Sequence, residues 1–133
     1  ENIYEYCRKN NAKLVLISTP STAYWNYKRH NSVAELAESL GVEYVDMNLI
    51  NDQVGIEWST DTRDRGMHMN IYGARKCSAF LGAYLAKTEQ FQDKRKDASY
   101  ADWFDALEAF NESTDNALDR PSPEPEDDTK KAN

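Results

Sequence analysis

The chain has 133 residues, 40% hydrophobic, 11% aromatic and 29% charged, with 23 acidic against 16 basic side chains and a formal net charge of -7. That length suits a single domain with a real core, and the composition is that of a globular protein rather than a disordered one. The negative charge repels polyanions, which excludes a general affinity for nucleic acid or for an anionic membrane and leaves small molecules, glycans and proteins as partners.

No apolar run approaches the ~20 residues of a membrane span, and the first residues lack a basic-then-apolar signal pattern. Ile3, Tyr6 and Cys7 fall at helical spacing before Asn10-Asn11 interrupts the pattern. The chain thus opens inside a helix, which points to a portion of a longer protein with any targeting segment upstream. Leu14 to Ile17 is a continuous apolar run ended by Ser18-Thr19-Pro20-Ser21. Apolarity without alternation fits a strand covered on both faces in a parallel sheet. Its carboxyl end is the edge at which open α/β sheets bind ligands.

Ala23 to His30, with Tyr24, Trp25 and Tyr27, reads as a loop or irregular turn. Ser32-Val33-Ala34-Glu35 then has capping-box spacing, and Val33, Leu36, Ala37 and Leu40 form an apolar stripe that Gly41 closes in the left-handed conformation. Val42 to Met47 reads as a second buried strand, with Asp46 near its carboxyl end accepting amide hydrogen bonds from the loop that follows. Asn48 to Arg65 is a long connection; beyond ~12 residues such connections are uncommon unless functional or disordered. Because an acid and a histidine follow, function is the reading here.

Asn70 suits the N-cap of a helix from Ile71 to about Lys87, with Ala74, Phe80, Leu81, Tyr84 and Leu85 on its apolar face. Ser99-Tyr100-Ala101-Asp102 opens a last helix, which Tyr100, Trp103, Phe104, Leu107 and Phe110 are expected to fasten to the body. After Ser113 apolar residues thin out, and the Pro-Ser-Pro-Glu-Pro-Glu-Asp-Asp run reads as a disordered acidic tail. The domain is therefore expected over residues 1–112 and the tail over 113–133. The order of elements is that of part of an α/β sandwich with a parallel sheet. Two strands make a poor sheet, so further strands are expected upstream or from a second copy of the chain.

The chemistry concentrates in Asp61 to Ala74. His68 stands just ahead of an N-capped, glycine-containing helix, where imidazole can exchange a proton with a substrate hydroxyl near neutral pH. Asp64 is the first partner for its ring, with Asp61 as the alternate. His30, between Arg29 and Asn31, reads as an exposed surface histidine. Ser18, Thr19 and Ser21 read as polar pocket-lining residues rather than nucleophiles, because an activated serine needs a sharp glycine-lined turn and nearby amide donors, and Pro20 removes one. Tyr24, Trp25 and Tyr27 read as core packing, with stacking on a sugar or acyl group as the functional alternative. No His-x-x-x-His or Cys-x-x-Cys spacing occurs, so neither a metal nor a cofactor is expected. Cys7 and Cys77 read as reduced, buried thiols.

Lys13 to Ser21, then Glu43-Tyr44-Val45-Asp46-Met47-Asn48, then Asp64 to Ala74 with Gly82-Ala83-Tyr84-Leu85, together resemble the carboxyl-terminal half of bacterial SGNH (GDSL-like) hydrolases. The resemblance runs from the first residues to about Asn111 and is most specific around His68. It implies a partial flavodoxin-like three-layer α/β/α fold and an ester hydrolase or O-acyltransferase acting on acyl, often acetyl, esters of small molecules or glycans. It also implies His68 as general base and Asp64 as its orienting acid; the compartment is not written in the sequence, a cell-envelope or extracytoplasmic setting being compatible with the intact protein. The family's usual spacing puts the acid three residues before the histidine; here Arg65 holds that position and Asp64 lies one further back. The family's serine, glycine and asparagine blocks would precede Glu1, so the chain alone is expected to be inactive. The alternative is a catalytically inactive α/β module that binds a glycan or protein through the aromatic cluster.

Overall fold

The computed structural model describes residues 2–89 and 91–118. Residues 2–89 belong to one compact unit and 91–118 to a second. In the first, α1 (Ile3–Lys9) is capped by the Asn2 side chain, which accepts from the Glu5 amide at 2.9 Å. Strands β1 (Val15–Ser18) and β2 (Glu43–Asp46) pair in parallel, Val15 opposite Glu43 and Ser18 opposite Asp46. The parallel register brings both strands to their carboxyl ends side by side. The crossover between them is α2 (Tyr27–Leu40), which packs on β2.

Helix α2 begins earlier than its sequence pattern suggests. Asn26 is the N-cap, its side chain accepting from the Arg29 amide at 3.0 Å, so the aromatic segment expected as a loop is partly the first turn of the helix. Ser32 does not cap; its hydroxyl donates to the Lys28 carbonyl one turn back, the usual mid-helix alternative. Gly41 closes the helix at φ 62°, as its position requires.

The long connection after β2 is more ordered than its composition implies. It holds α3 (Asn51–Val54) and then β3 (Thr62–Arg63), which pairs antiparallel with β4 (His68–Met69). Asn51 pins the intervening chain, its amide side chain donating to the Ile56 carbonyl and accepting from the Ile56 amide at 3.1 and 3.0 Å. This fold-back carries Val54 and Ile56 into the core beside Met47 and Cys77, with Ile50, Met69, Phe80 and Leu81 packed around them. Met47 is 1% exposed, and burying such a side chain stabilises by about 1.5–3 kcal/mol. Cys77 is buried and Cys7 half-buried; both are free thiols.

Helix α4 (Ile71–Thr88) starts at Asn70, whose side chain accepts from the Tyr72 and Gly73 amides at 2.9 and 3.2 Å. In the second unit, α5 spans Ala101–Leu118 and so carries helix past the boundary expected for the tail at residue 113; residues 119–133 lie outside the described residues. Tyr100, Trp103, Phe104, Leu107 and Phe110, expected to fasten the last helix, are all exposed. No helix of the described residues is long and apolar enough to cross a membrane.

Candidate functional site

Strands β3 and β4 are joined by a tight turn, Asp64 to Gly66, in which all three residues have positive φ: 52°, 58° and 89°. Left-handed backbone costs an L-residue about 1–2 kcal/mol, and only Gly66 escapes that cost. The turn brings the Asp64 side chain back over the ladder, where Arg63 pairs with His68. His68 Nδ1 lies 2.9 Å from Asp64 Oδ2, with both side chains about half exposed. The two residues singled out as base and acid are thus in contact. With Nδ1 engaged by the carboxylate, Nε2 is the nitrogen that remains for proton exchange.

Asp61, the alternate acid, does different work. It is 3% exposed and accepts from Lys76 Nζ at 2.5 Å, the Glu57 amide at 2.8 Å and the Thr60 hydroxyl at 3.3 Å. Burial pushes its carboxyl up, but the Lys76 ammonium and the Glu57 amide outweigh this and hold it below the ordinary carboxylate value. Asp61 ties the entrance of the hairpin to α4, and its carbonyl accepts the Asn70 amide at 3.0 Å.

The loop after β1 lies against this hairpin. The Thr22 amide donates to the Gly66 carbonyl at 3.0 Å, the Thr22 hydroxyl to Arg65 at 2.7 Å, and the Ser21 hydroxyl to Met67 at 3.2 Å. Ser21 and Thr22 are therefore joints of the loop. Tyr24, 59% exposed, stands with its ring centroid 6.1 Å from that of His68.

His30 is where the structure departs most from expectation. It is not a solvated surface histidine: its side chain is 20% exposed, and Nδ1 lies 2.7 Å from Asp46 Oδ2. The same oxygen accepts from Trp25 Nε1 at 2.7 Å and the Tyr44 hydroxyl at 3.0 Å, while Oδ1 accepts from the Asn48 amide and the Asn48 side chain, both at 2.9 Å. Burial pushes the Asp46 carboxyl up, yet the Trp25, Asn48 and His30 donors overcome it and bring it down to about 2. Ser18 ends this network, its hydroxyl 2.8 Å from that of Tyr44. The readable signal was Asp46 itself: an acid at the end of a buried strand needs donors, and Trp25 and His30 are suitable ones.

No protein-family model, curated protein or solved structure matches the chain. Among the described residues no three His, Cys, Asp or Glu side chains converge as metal ligands. What the edge offers is acid-base chemistry from His68 and Asp64, a second acid-histidine pair at Asp46 and His30, and aromatic rings beside each.

Proposed function

We propose that this chain supplies the general base and orienting acid of an SGNH-type ester hydrolase or O-acyltransferase, with the nucleophilic serine on a segment that precedes Glu1. The supporting observation is the 2.9 Å contact between His68 Nδ1 and Asp64 Oδ2, built on strained turn backbone just ahead of an N-capped helix. Strain at such a turn persists where the surroundings enforce it, and functional sites are where it gathers. The parallel pairing of β1 and β2 also fits two strands of a larger flavodoxin-like sheet, and the 39% exposure of Ile17 on β1 fits a neighbour that completes it, either the upstream half of the domain or a second copy.

In this reading His68 Nε2 takes the serine proton as the hydroxyl oxygen attacks the ester carbonyl, and Asp64 stabilises the imidazolium that forms. The tetrahedral adduct collapses as the same proton passes to the departing alkoxide, leaving an acyl-enzyme and free alcohol. Water or an acceptor hydroxyl then attacks, giving its proton to Nε2, and the serine recovers that proton on release of acid or new ester. In a polypeptide that carries the serine segment, His68→Ala should slow p-nitrophenyl acetate turnover by about 10²- to 10⁴-fold with the urea midpoint unchanged. Undiminished turnover would sink the assignment. The exposure of Tyr24 and Tyr27, 59% and 67%, favours as the second reading an inactive module that binds a glycan or protein through these rings; an upstream segment without a serine block would select it.

A further inference from the structure

The Asp46 carboxylate is satisfied without His30. A carboxylate offers about four lone-pair sites, and Trp25 Nε1, the Tyr44 hydroxyl and the two Asn48 donors already supply that number. His30 Nδ1 adds a fifth contact at 2.7 Å. Asp46 accepts only, so Nδ1 carries the proton at this contact and the opposite nitrogen, Nε2, is an acceptor in the neutral ring. Of the pair, the His30 side chain is 20% exposed and that of Asp46 3%, so the histidine is the member that meets solvent. The imidazole is flanked by the rings of Tyr44 and Trp25, at centroid distances of 5.5 and 6.5 Å, and Tyr27 stands edge-on to Trp25 at 5.0 Å.

We infer that His30, held by Asp46 at the carboxyl edge of β1 and β2, is a ligand-binding residue whose Nε2 accepts a hydrogen bond from a hydroxyl of a neutral, ring-shaped polyol. The exposed Tyr27 ring, packed against the half-buried Trp25, supplies apolar surface for the ligand's C–H groups. A neutral hydroxyl matches an acceptor nitrogen, whereas an anion would require a donor there. This binding does not depend on an upstream serine. Where the proposed reaction also holds, the ligand is the hydroxyl compound that receives or surrenders the acyl group.

The test uses the 133-residue chain, labelled with nitrogen-15 and titrated with methyl β-glucoside while the imidazole nitrogens are followed by NMR. The expected result is a saturable shift of His30 Nε2, with affinity about five- to tenfold weaker in His30→Gln, as for loss of one hydrogen bond. No saturable shift at His30 overturns the inference, and so does an affinity unchanged by His30→Gln. The wild-type shift needs no variant, so a poorly folded His30→Gln leaves the test intact. Failure of the hydrolase reading is seen separately: a His30 shift without ester turnover in the serine-bearing polypeptide removes the hydrolase and keeps this site, and turnover without the shift does the reverse.

Discussion

Two glycines of one helix should respond to alanine with opposite signs. Gly73, in the first turn of α4, is buried against the hairpin that carries the candidate acid and base, and a Cβ there would stand 2.3 Å from the Asp61 carbonyl oxygen and 2.8 Å from Met69 Sδ. Met69 can swing aside; the carbonyl cannot, because it accepts the Asn70 amide at 3.0 Å at the helix entrance. Relief therefore requires parting β3 from α4, an overpacking cost of about 1–3 kcal/mol, partly offset by a helix-propensity gain of at most ~1. Gly82, on the exposed side of the same helix, has nothing within 4 Å of an added Cβ. Alanine there should stabilise by about 0.5–1 kcal/mol. Urea unfolding followed by far-UV circular dichroism separates the two, provided the slope is unchanged. The residues are far enough apart for their effects to add in the double variant to within about 0.5 kcal/mol. A Gly73→Ala midpoint equal to wild type, or a loss at Gly82→Ala as large as that at Gly73, would refute the close approach on which the hairpin's placement rests.

Asp46 gives a pH signature. Its folded carboxyl sits at about 2, below the ordinary 3.8, so the stability it contributes is present above the unfolded value near 3.9 and is lost as pH falls toward 2. The shift corresponds to about 2–3 kcal/mol, so the stability gap between wild type and Asp46→Asn should shrink across that window; a gap independent of pH there would count against the network. Removing the α4 cap with Asn70→Ala should cost about 1–2 kcal/mol, read as a lower thermal midpoint, and an unchanged midpoint would mean the cap bonds contribute nothing. Asn48→Ala should disturb the ring resonances of both His30 and His68, because Asn48 also accepts from the Ser21 amide at 2.9 Å and donates to the Thr19 carbonyl at 3.1 Å. A change confined to His30 would show that the two pairs are uncoupled.

The local signals were legible wherever one residue decides a backbone conformation. Asn70 as N-cap and Gly41 as left-handed closure follow from chain chemistry alone, and the parallel partnership of β1 and β2 followed from apolar runs without alternation. Asp64 and His68 were legible for a similar reason, since four residues of chain and one glycine leave a short turn as the way to bring them together. What misled was competition among equally good local options. The Ser32 to Glu35 spacing satisfies a capping box on paper, yet Asn26 caps first and leaves Ser32 inside the helix. His30 was missed because it lies in helix α2 while its environment is made by Asp46 and Tyr44, which lie on strand β2. Asp61, the alternate acid, is instead claimed by Lys76, six residues beyond Asn70 on α4.

The two acid-histidine pairs differ in a way that bears on how the edge works. Asp64 and His68 are half exposed on a strained turn, so solvent screens their interaction and the ring is free to exchange protons with what approaches it. Asp46 is sealed among donors and holds His30 in one orientation. The loop from Thr19 to Trp25 connects them: Thr19 and Ser21 bond to Asn48, Ser21 and Thr22 to Met67 and Gly66, and Trp25 to Asp46. With donors from Trp25, Tyr44 and Asn48 on it, the Asp46 carboxylate fixes the geometry of the carboxyl edge. That geometry places Tyr24 beside His68 and Trp25 beside His30, so that a single short loop supplies one ring to each imidazole, with Tyr44 of β2 the nearer ring at His30. The proposed proton exchange at one pair and the proposed ligand recognition at the other both rest on this difference in burial.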